Sequence, residues 1–139
     1  MEEKLNSQFK HIDFNDEQCK LFTEIFSQDE TNIKVLFYIA QCEQSKKPLT
    51  VKTISENVKI ERRFGNKNHK GSVTSYDVNE GYIDRKTAER IVDRLAYASL
   101  IYFEVQHPYK FIRLTKRGVQ IAKSLLNNQT KLNQQNGGN

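Results

Sequence analysis

Basic side chains recur at helical spacing in the segment 84–98, DRKTAERIVDRLAYA. Lys86 and Arg90 are four residues apart, so a helix places them on one side, in a row that continues through Asp93 and Tyr97. Ammonium and guanidinium groups in such a row can donate hydrogen bonds to phosphate oxygens or to the edges of guanine bases. Whatever covers this side of the helix, whether water, protein or nucleic acid, decides what the segment does.

The other side of the same segment is apolar. Its apolar residues fall at spacings of three, four and seven, which is typical of an amphipathic helix anchored on a protein core. Asp84 is a candidate N-cap for this helix. In an alternative interpretation the polar side is only a solvated face, on which Arg85 pairs with Glu89 and Arg90 with Asp93. The apolar stripe consists of Ala88, Ile91, Val92 and Leu95.

The remaining chemistry-bearing residues form no recognisable catalytic or metal-binding pattern. The three histidines are scattered, and Cys19 and Cys42 lack the spacing of a CxxC or Cys/His metal site. The two thiols are interpreted as ordinary buried or half-buried groups, with redox sensing as the alternative. Without a Ser/His/Asp constellation, a phosphate-binding glycine loop or paired carboxylates, we expect neither an enzyme nor a cofactor or metal site.

Length and hydropathy favour a single domain away from membranes. A chain of 139 residues can bury one core, and none of its apolar runs approaches the roughly 18 residues needed to span a bilayer. The first ten residues, MEEKLNSQFK, lack the apolar stretch of a signal peptide. These features predict a cytoplasmic protein without a membrane partner.

Charge is divided unevenly along the chain. Residues 1–30 hold eight acidic residues and three lysines, a charge balance of −5. Because the net charge of the whole chain is +5, residues 31–139 carry +10. No acidic residue follows Glu104. This division favours a polyanionic partner for the C-terminal two thirds, with a merely solvated basic surface as the alternative. The basic residues after Glu104 are Lys110, Arg113, Lys116, Arg117, Lys123 and Lys131.

The elements that position the 84–98 helix are predicted from periodicity, caps and breakers. The segments LIYFEVQ and YKFIRLT, rich in β-branched and aromatic residues, flank His107 and Pro108 and predict a hairpin. Thr115 then caps the last helix. Segment 1–14 is expected to be flexible, 59–83 to form a long basic loop, and 128–139 a disordered tail. The predicted helices span about 15–27, from 30 or 31 to 45, from 51 or 52 to 58, 84–98 and 115–127, with a very short extended piece after Pro48.

The order of these elements resembles the winged helix-turn-helix domain, and in detail the MarR-like transcription regulators. The resemblance covers about 32–126 and rests on LTVKTISENV as supporting helix, on IDRKTAERIVDRLAYASLIYFEV as recognition helix and first wing strand, and on FIRLTKRGVQIAKSLL as second wing strand and helix. It implies a mainly α fold with a small β-hairpin wing, of the α+β class. The sequence departs from the family by placing about 25 residues between the two helices of the motif, which we interpret as an insertion.

The resemblance implies a sequence-specific, double-stranded DNA-binding protein, a dimeric and repressor-like transcription regulator. Helix 84–98 would read the DNA, the wing 101–114 would contact it, and the first and last helices would form the homodimer. Strand alternation is expected to turn either Lys110 or Arg113 away from the DNA. The predicted DNA-binding residues are Lys52, Arg62, Arg63, Arg85, Lys86, Thr87, Arg90, Arg94, Tyr97, His107, Tyr109, Lys110 and Arg113.

Two other functions stay open at this point. A plasmid or phage partition or replication-control factor would use the same domain type, and a winged-helix protein-interaction module would not bind duplex DNA at all. The basic segment 59–83 likewise has three interpretations. It could be a solvated connection, an arm that adds phosphate contacts, or a ligand lid.

Overall fold

The computed structural model describes residues 2–67, 71 and 73–137, with side chains for 4–61, 71 and 79–130. Within these residues the chain is mixed α+β, which confirms the predicted class at that level. Helices α1 to α6 span Glu2–Gln8, Asp16–Ser27, Glu30–Gln44, Val51–Asn57, Arg85–Tyr97 and Lys116–Gly137. Strands β1 to β4 span Lys59–Lys67, Val73–Tyr82, Ile101–Gln106 and Tyr109–Leu114.

Capping side chains set the starts of the helices. The Asn15 side-chain oxygen accepts a hydrogen bond from the backbone N–H of Gln18 at 2.9 Å, and the Gln18 side-chain oxygen accepts one from the backbone N–H of Asn15. Asp84 accepts from the N–H of Thr87 at 2.7 Å. The cap predicted at Asp84 is therefore confirmed, because its short polar side chain satisfies a backbone donor that has no partner inside the helix.

A single hydrophobic core holds the helices and the β3–β4 hairpin together. α3 crosses its centre, where Val35, Leu36 and Ile39 are buried, as expected for a helix that is apolar on most sides. All four stripe residues of α5 are buried in the same core. The apolar side of α5 therefore anchors the helix and leaves its other side outward.

The predicted hairpin after α5 is confirmed and is built into the body of the protein. β3 and β4 pair in register from Ile101 with Leu114 to Gln106 with Tyr109. The backbone N–H of Ile112 donates to the carbonyl of Leu49 at 2.8 Å, so the short extended piece after Pro48 joins the hairpin through one hydrogen bond. This link ties the hairpin to the start of α4.

The start of α6 depends on two residues of the LTKRG segment, Thr115 and Gly118. The Thr115 hydroxyl accepts from the N–H of Gly118 at 3.1 Å and donates to the carbonyl of Ser99 at 2.7 Å. A Cβ atom at Gly118 would lie 2.1 Å from the carbonyl oxygen of Leu100. Only glycine lets the helix approach the backbone before β3 this closely.

The prediction that 59–83 is a loop was wrong. β1 and β2 form a long antiparallel ribbon, paired from Lys59 with Tyr82 onward, and the ladder continues at its base through the N–H of Ile83 to the carbonyl of Val58 at 2.9 Å. A strand buried on one face shows alternation of apolar and polar residues, whereas this charged and glycine-containing ribbon shows little. Its secondary structure comes from cross-strand hydrogen bonds that no local pattern reports.

The N-terminal segment was also predicted wrongly as flexible. α1 packs against β3, and the buried side chain of Asn6 donates to the carbonyls of Ala96 and Ile101, both at 2.8 Å. Polar contacts to distant backbone groups hold this segment, so apolar periodicity could not reveal it. At the other end, α6 continues through Gly137, where a disordered tail was expected from residue 128.

Candidate nucleic-acid interface

The exposed side of α5 carries the row of polar residues that the sequence indicated. Lys86, Arg90, Asp93 and Tyr97 are all exposed, and Tyr97 keeps 75% of its surface accessible. Among the side chains that the structure describes, none forms an ion pair with Lys86 or Arg90. The two basic groups therefore face outward and are not neutralised by a described side chain of the helix.

Two other arginines of α5 are tied to neighbouring carboxylates. Arg85 lies 3.4 Å from Glu89 on the next turn, and Arg94 lies 3.8 Å from Asp29, the cap of α3. Both pairs are well exposed, so each contributes little to stability and can be exchanged for a phosphate at small cost. Arg85 and Arg94 thus flank the exposed row but are less free than its central residues.

Helix α4 packs against α5 and places further predicted residues beside it. Lys52 is exposed and lies 3.8 Å from Glu56 on the same helix. Thr87 is half-buried, and its backbone N–H is held by the cap Asp84. The structure therefore brings Lys52 and the α5 residues onto neighbouring elements, with α5 more fully exposed.

Strand alternation was expected to turn either Lys110 or Arg113 away from the DNA, and Arg113 is the one that pairs with carboxylates of the protein. Its Nε atom donates to the two carboxylate oxygens of Glu43 at 3.1 and 2.9 Å, and its Nη1 atom donates to Glu104 at 2.9 Å. The hydrogen bond to Glu43 is the largest cause that raises the pKa of the Arg113 guanidinium. Because two carboxylates neutralise this arginine and turn it towards α3, we remove it from the candidate DNA contacts.

The tip of the β3–β4 hairpin is exposed and partly aromatic. His107, Tyr109 and Lys110 are exposed, and the Tyr109 ring stacks on Phe111 with centroids 5.8 Å apart. The Lys110 Nζ atom lies 4.4 Å from the centre of the Phe103 ring. The tip therefore offers one ammonium group and an aromatic surface, which is less positive charge than the sequence indicated.

Arg117 is a buried structural residue that the charge count alone had assigned to a basic surface. It is only 6% exposed and donates to the carbonyls of Phe9 and Ile12 at 2.8 and 2.6 Å, and to the Ser99 hydroxyl at 2.9 Å. Burial lowers the pKa of its guanidinium. The neighbouring Lys116 lies 3.4 Å from Asp13, so the start of α6 binds the N-terminal segment rather than an external anion.

The DNA-binding residues predicted in segment 59–83 lie on the β1–β2 ribbon. Arg62 and Arg63 belong to β1, and their side chains lie outside the described ones. At the base of the ribbon the Lys59 Nζ atom lies 5.0 Å from the Tyr82 ring centre. Lys34 of α3 donates to the Lys59 carbonyl at 3.4 Å.

The cysteines behave as the ordinary interpretation expects. Cys42 is buried and Cys19 is half-buried, and both are free thiols. Burial, followed by the nearby carboxylates of Asp16 and Asp13, raises the pKa of the Cys19 thiol. A redox sensor needs the opposite shift, because the thiolate is the reactive form.

The part of the chain that the structure describes contains neither a metal-binding cluster nor a membrane-spanning helix. There, no three His, Cys, Asp or Glu side chains come together in an arrangement suited to a metal ion. None of the helices in that part combines the length and the apolar character that crossing a bilayer requires.

Exposed apolar residues lie on α2, and an apolar groove lies between α3 and α6. Leu21 and Ile25 of α2 are 57% and 51% exposed, although their neighbours Phe22 and Phe26 pack into the core. A groove of about 480 Å³ runs between α3 and α6. Its apolar lining consists of Phe37, Ala40, Leu114, Val119, Ala122 and Leu126.

Comparison of the chain with protein-family models, with curated proteins and with solved structures found no match. What the exposed row of α5 does must therefore be inferred from its own geometry and charge.

Proposed function

We propose that the protein is a sequence-specific double-stranded DNA-binding protein, a dimeric transcription regulator that acts by occupying an operator. In this proposal α4 and α5 are the helix pair of a winged helix-turn-helix domain and β3–β4 is its wing. The observation that carries it is the exposed α5 row, whose basic groups Lys86 and Arg90 have no ion-pair partner among the described side chains. A helix with this construction is suited to enter a groove while its apolar side stays in the core.

The dimensions of the row suit the DNA major groove. That groove accommodates one α-helix, and arginine or lysine can bind guanine through its O6 and N7 atoms. From Lys86 to Tyr97 the helix rises about 16 Å at 1.5 Å per residue, which corresponds to about five base pairs. Asp93 would repel a phosphate but can accept a hydrogen bond from the amino group of cytosine. The row is therefore better suited to base edges than to phosphates alone.

Dimerisation would supply the second half-site. One helix reads only a few base pairs, and a two-fold dimer presents two helices about 34 Å apart, one turn of B-DNA. The exposed Leu21 and Ile25 and the apolar groove beside Leu126 are surfaces that a second copy could cover. This supports the interface through α2 and α6 that the resemblance implies.

A protein-interaction module is the second candidate, and two observations favour it. The exposed row contains a large aromatic residue, Tyr97, of a type that is enriched in protein interfaces. In addition, ion pairs with Glu43 and Glu104 neutralise the positive charge of Arg113 in the wing. Such a module would show no affinity for duplex DNA at physiological salt.

The test is selection of bound duplexes from a random-sequence pool, followed by titration of the selected duplex. Arg90→Ala is expected to weaken binding to the selected sequence by about 5- to 150-fold, the equivalent of about 1–3 kcal/mol for a lost base contact, and binding to random DNA much less. Lys47→Ala is the matched control, since it removes one exposed basic charge from the segment between α3 and α4, outside both the row and the proposed dimer surfaces.

Three outcomes of this test separate the alternatives. Enrichment of one palindromic sequence supports a regulator, whereas tandem sites coated by many dimers support a partition factor. If no sequence is enriched and the purified chain fails to retard any duplex, the DNA-binding proposal is wrong and the interaction module is favoured. Equal losses on selected and random DNA would exclude Arg90 from base reading.

A further inference from the structure

The β1–β2 ribbon leaves the body of the protein between the two helices of the candidate interface. Among the described residues its sheet contains two strands only, so each strand has an outer edge without a strand partner. The described links to the body lie at its base, from Ile83 to Val58 and from Lys34 to Lys59. An isolated two-stranded ribbon is marginally stable in water, so an element of this length is expected to have a partner.

The two strands of the ribbon differ in charge. β1 contains four basic residues and one acidic residue, a balance of +3, whereas β2 contains two acidic residues and no basic one, a balance of −2. A polyanion would therefore be attracted to the β1 strand. The charged residues of β1 are Lys59, Glu61, Arg62, Arg63 and Lys67, and those of β2 are Asp77 and Glu80.

The ribbon also begins beside the residues proposed to read DNA. Its last paired residue is Tyr82, Asp84 caps α5, and Lys86 stands in the first turn of that helix. The nine residues of β1 extend about 30 Å at roughly 3.4 Å per residue. That length matches about nine base pairs of duplex at 3.4 Å each.

We propose that the β1–β2 ribbon is a second DNA-binding element, whose β1 strand lies parallel to the duplex axis and contacts phosphates next to the half-site occupied by α5. This inference rests on the proposed function and adds to it a sequence-independent contact that lengthens the bound segment by about nine base pairs per protomer. Phosphate contacts of this kind hold the reading helix in register without selecting a sequence.

A second copy of the chain is a weaker candidate for the same strands. A two-fold axis would pair β1 with β1 or β2 with β2, and each arrangement brings like charges together across the new edge. DNA meets only the basic strand. Self-association through the ribbon is therefore kept as an outcome of the test.

The experiment compares a ribbon-neutral variant, Arg62→Gln, Arg63→Gln and Lys67→Gln, with an equally discharged control, Lys4→Gln, Lys46→Gln and Lys47→Gln. The control lysines are exposed residues of the body. Binding to the selected duplex and to a random duplex is titrated over a range of salt concentrations. Nuclease protection gives the length of the bound segment, and sedimentation gives the oligomeric state.

If the ribbon binds DNA, its neutralisation should reduce the slope of log affinity against log salt by about 2.7, three contacts at 0.9 each, equally on both duplexes. The protected segment should shorten by about nine base pairs per protomer, while the ratio of selected to random affinity stays unchanged. The control variant should keep the wild-type slope and protected length.

Unchanged slope and protection in the ribbon-neutral variant, with wild-type binding intact, would overturn the ribbon inference and leave the α5 proposal standing. Loss of dimerisation in this variant without a change in salt slope would assign the ribbon to self-association instead. If the wild-type chain binds no duplex, both proposals fail together. If it does bind, the Arg90→Ala titration identifies whether α5 carries the sequence specificity.

Discussion

The two hairpins of the molecule are similar in topology and opposite in their support. β3–β4 is enclosed by the core: Ile101, Ile112 and Leu114 are buried, and Arg113 is neutralised by Glu43 and Glu104. β1–β2 has described links to the body at its base, and its first strand carries an excess of basic residues. In the enclosed hairpin the guanidinium of Arg113 is held by two carboxylates, whereas the first strand of the other hairpin carries a charge balance of +3.

This difference changes which hairpin is expected to contact DNA. A resemblance to winged-helix proteins directs attention to the hairpin after α5, where Lys110 and the aromatic tip are what the structure leaves exposed. The charge and position of the ribbon before α5 favour it as the main source of phosphate contacts. A segment without periodicity can thus hold a regular element, because pairing between its two strands stabilises it.

The largest effect expected is a loss of stability at the site where α6 closely approaches the backbone before β3. Gly118→Ala places a Cβ atom against the Leu100 carbonyl, and the resulting displacement should cost about 2–4 kcal/mol of unfolding free energy. Urea denaturation measures it. Gly81→Ala in the ribbon is the matched control, because open space surrounds its Cβ position, and it should change stability by less than about 1 kcal/mol. Equal effects of the two substitutions would contradict the contrast between the hairpins.

The next effect concerns the clamp that holds the N-terminal segment against the enclosed hairpin. Arg117→Met removes buried charged donors from the carbonyls of Phe9 and Ile12 and should cost about 2 kcal/mol. Hydrogen exchange should rise in α1 and stay unchanged in β1–β2. Lys116→Met, which breaks only an exposed ion pair with Asp13, should cost less than about 1 kcal/mol. Unchanged exchange in α1 for both variants would show that Arg117 does not hold this segment.

The smallest effect expected is at Arg113. Because this arginine and its partners are partly exposed, Arg113→Met should reduce stability by about 1 kcal/mol or less. Its affinity for the selected duplex should match that of the wild-type chain, in contrast to Arg90→Ala. A loss of affinity comparable to that of Arg90→Ala would restore Arg113 to the DNA-binding residues and weaken the distinction between the two hairpins.

The sequence by itself determined the elements whose signals are local. Asp84 and Thr115 begin α5 and α6 because a capping side chain acts within three residues, and the apolar stripe of α5 follows from helical periodicity. The exposed side of α5 was predicted for the same reason. Such local signals predicted neither the groove between α3 and α6 nor the function of the α5 row.

Only the tertiary structure decided the features that depend on residues distant in the chain. The ribbon is held by pairing between strands, Asn6 and Arg117 by carbonyls about ninety or more positions away, and Arg113 by a carboxylate 70 residues earlier. A lysine or arginine has the same charge in the sequence whether it faces water, a carbonyl or a carboxylate. Its partner is fixed by the packing of the chain, and that packing determined which basic groups are available for an external partner.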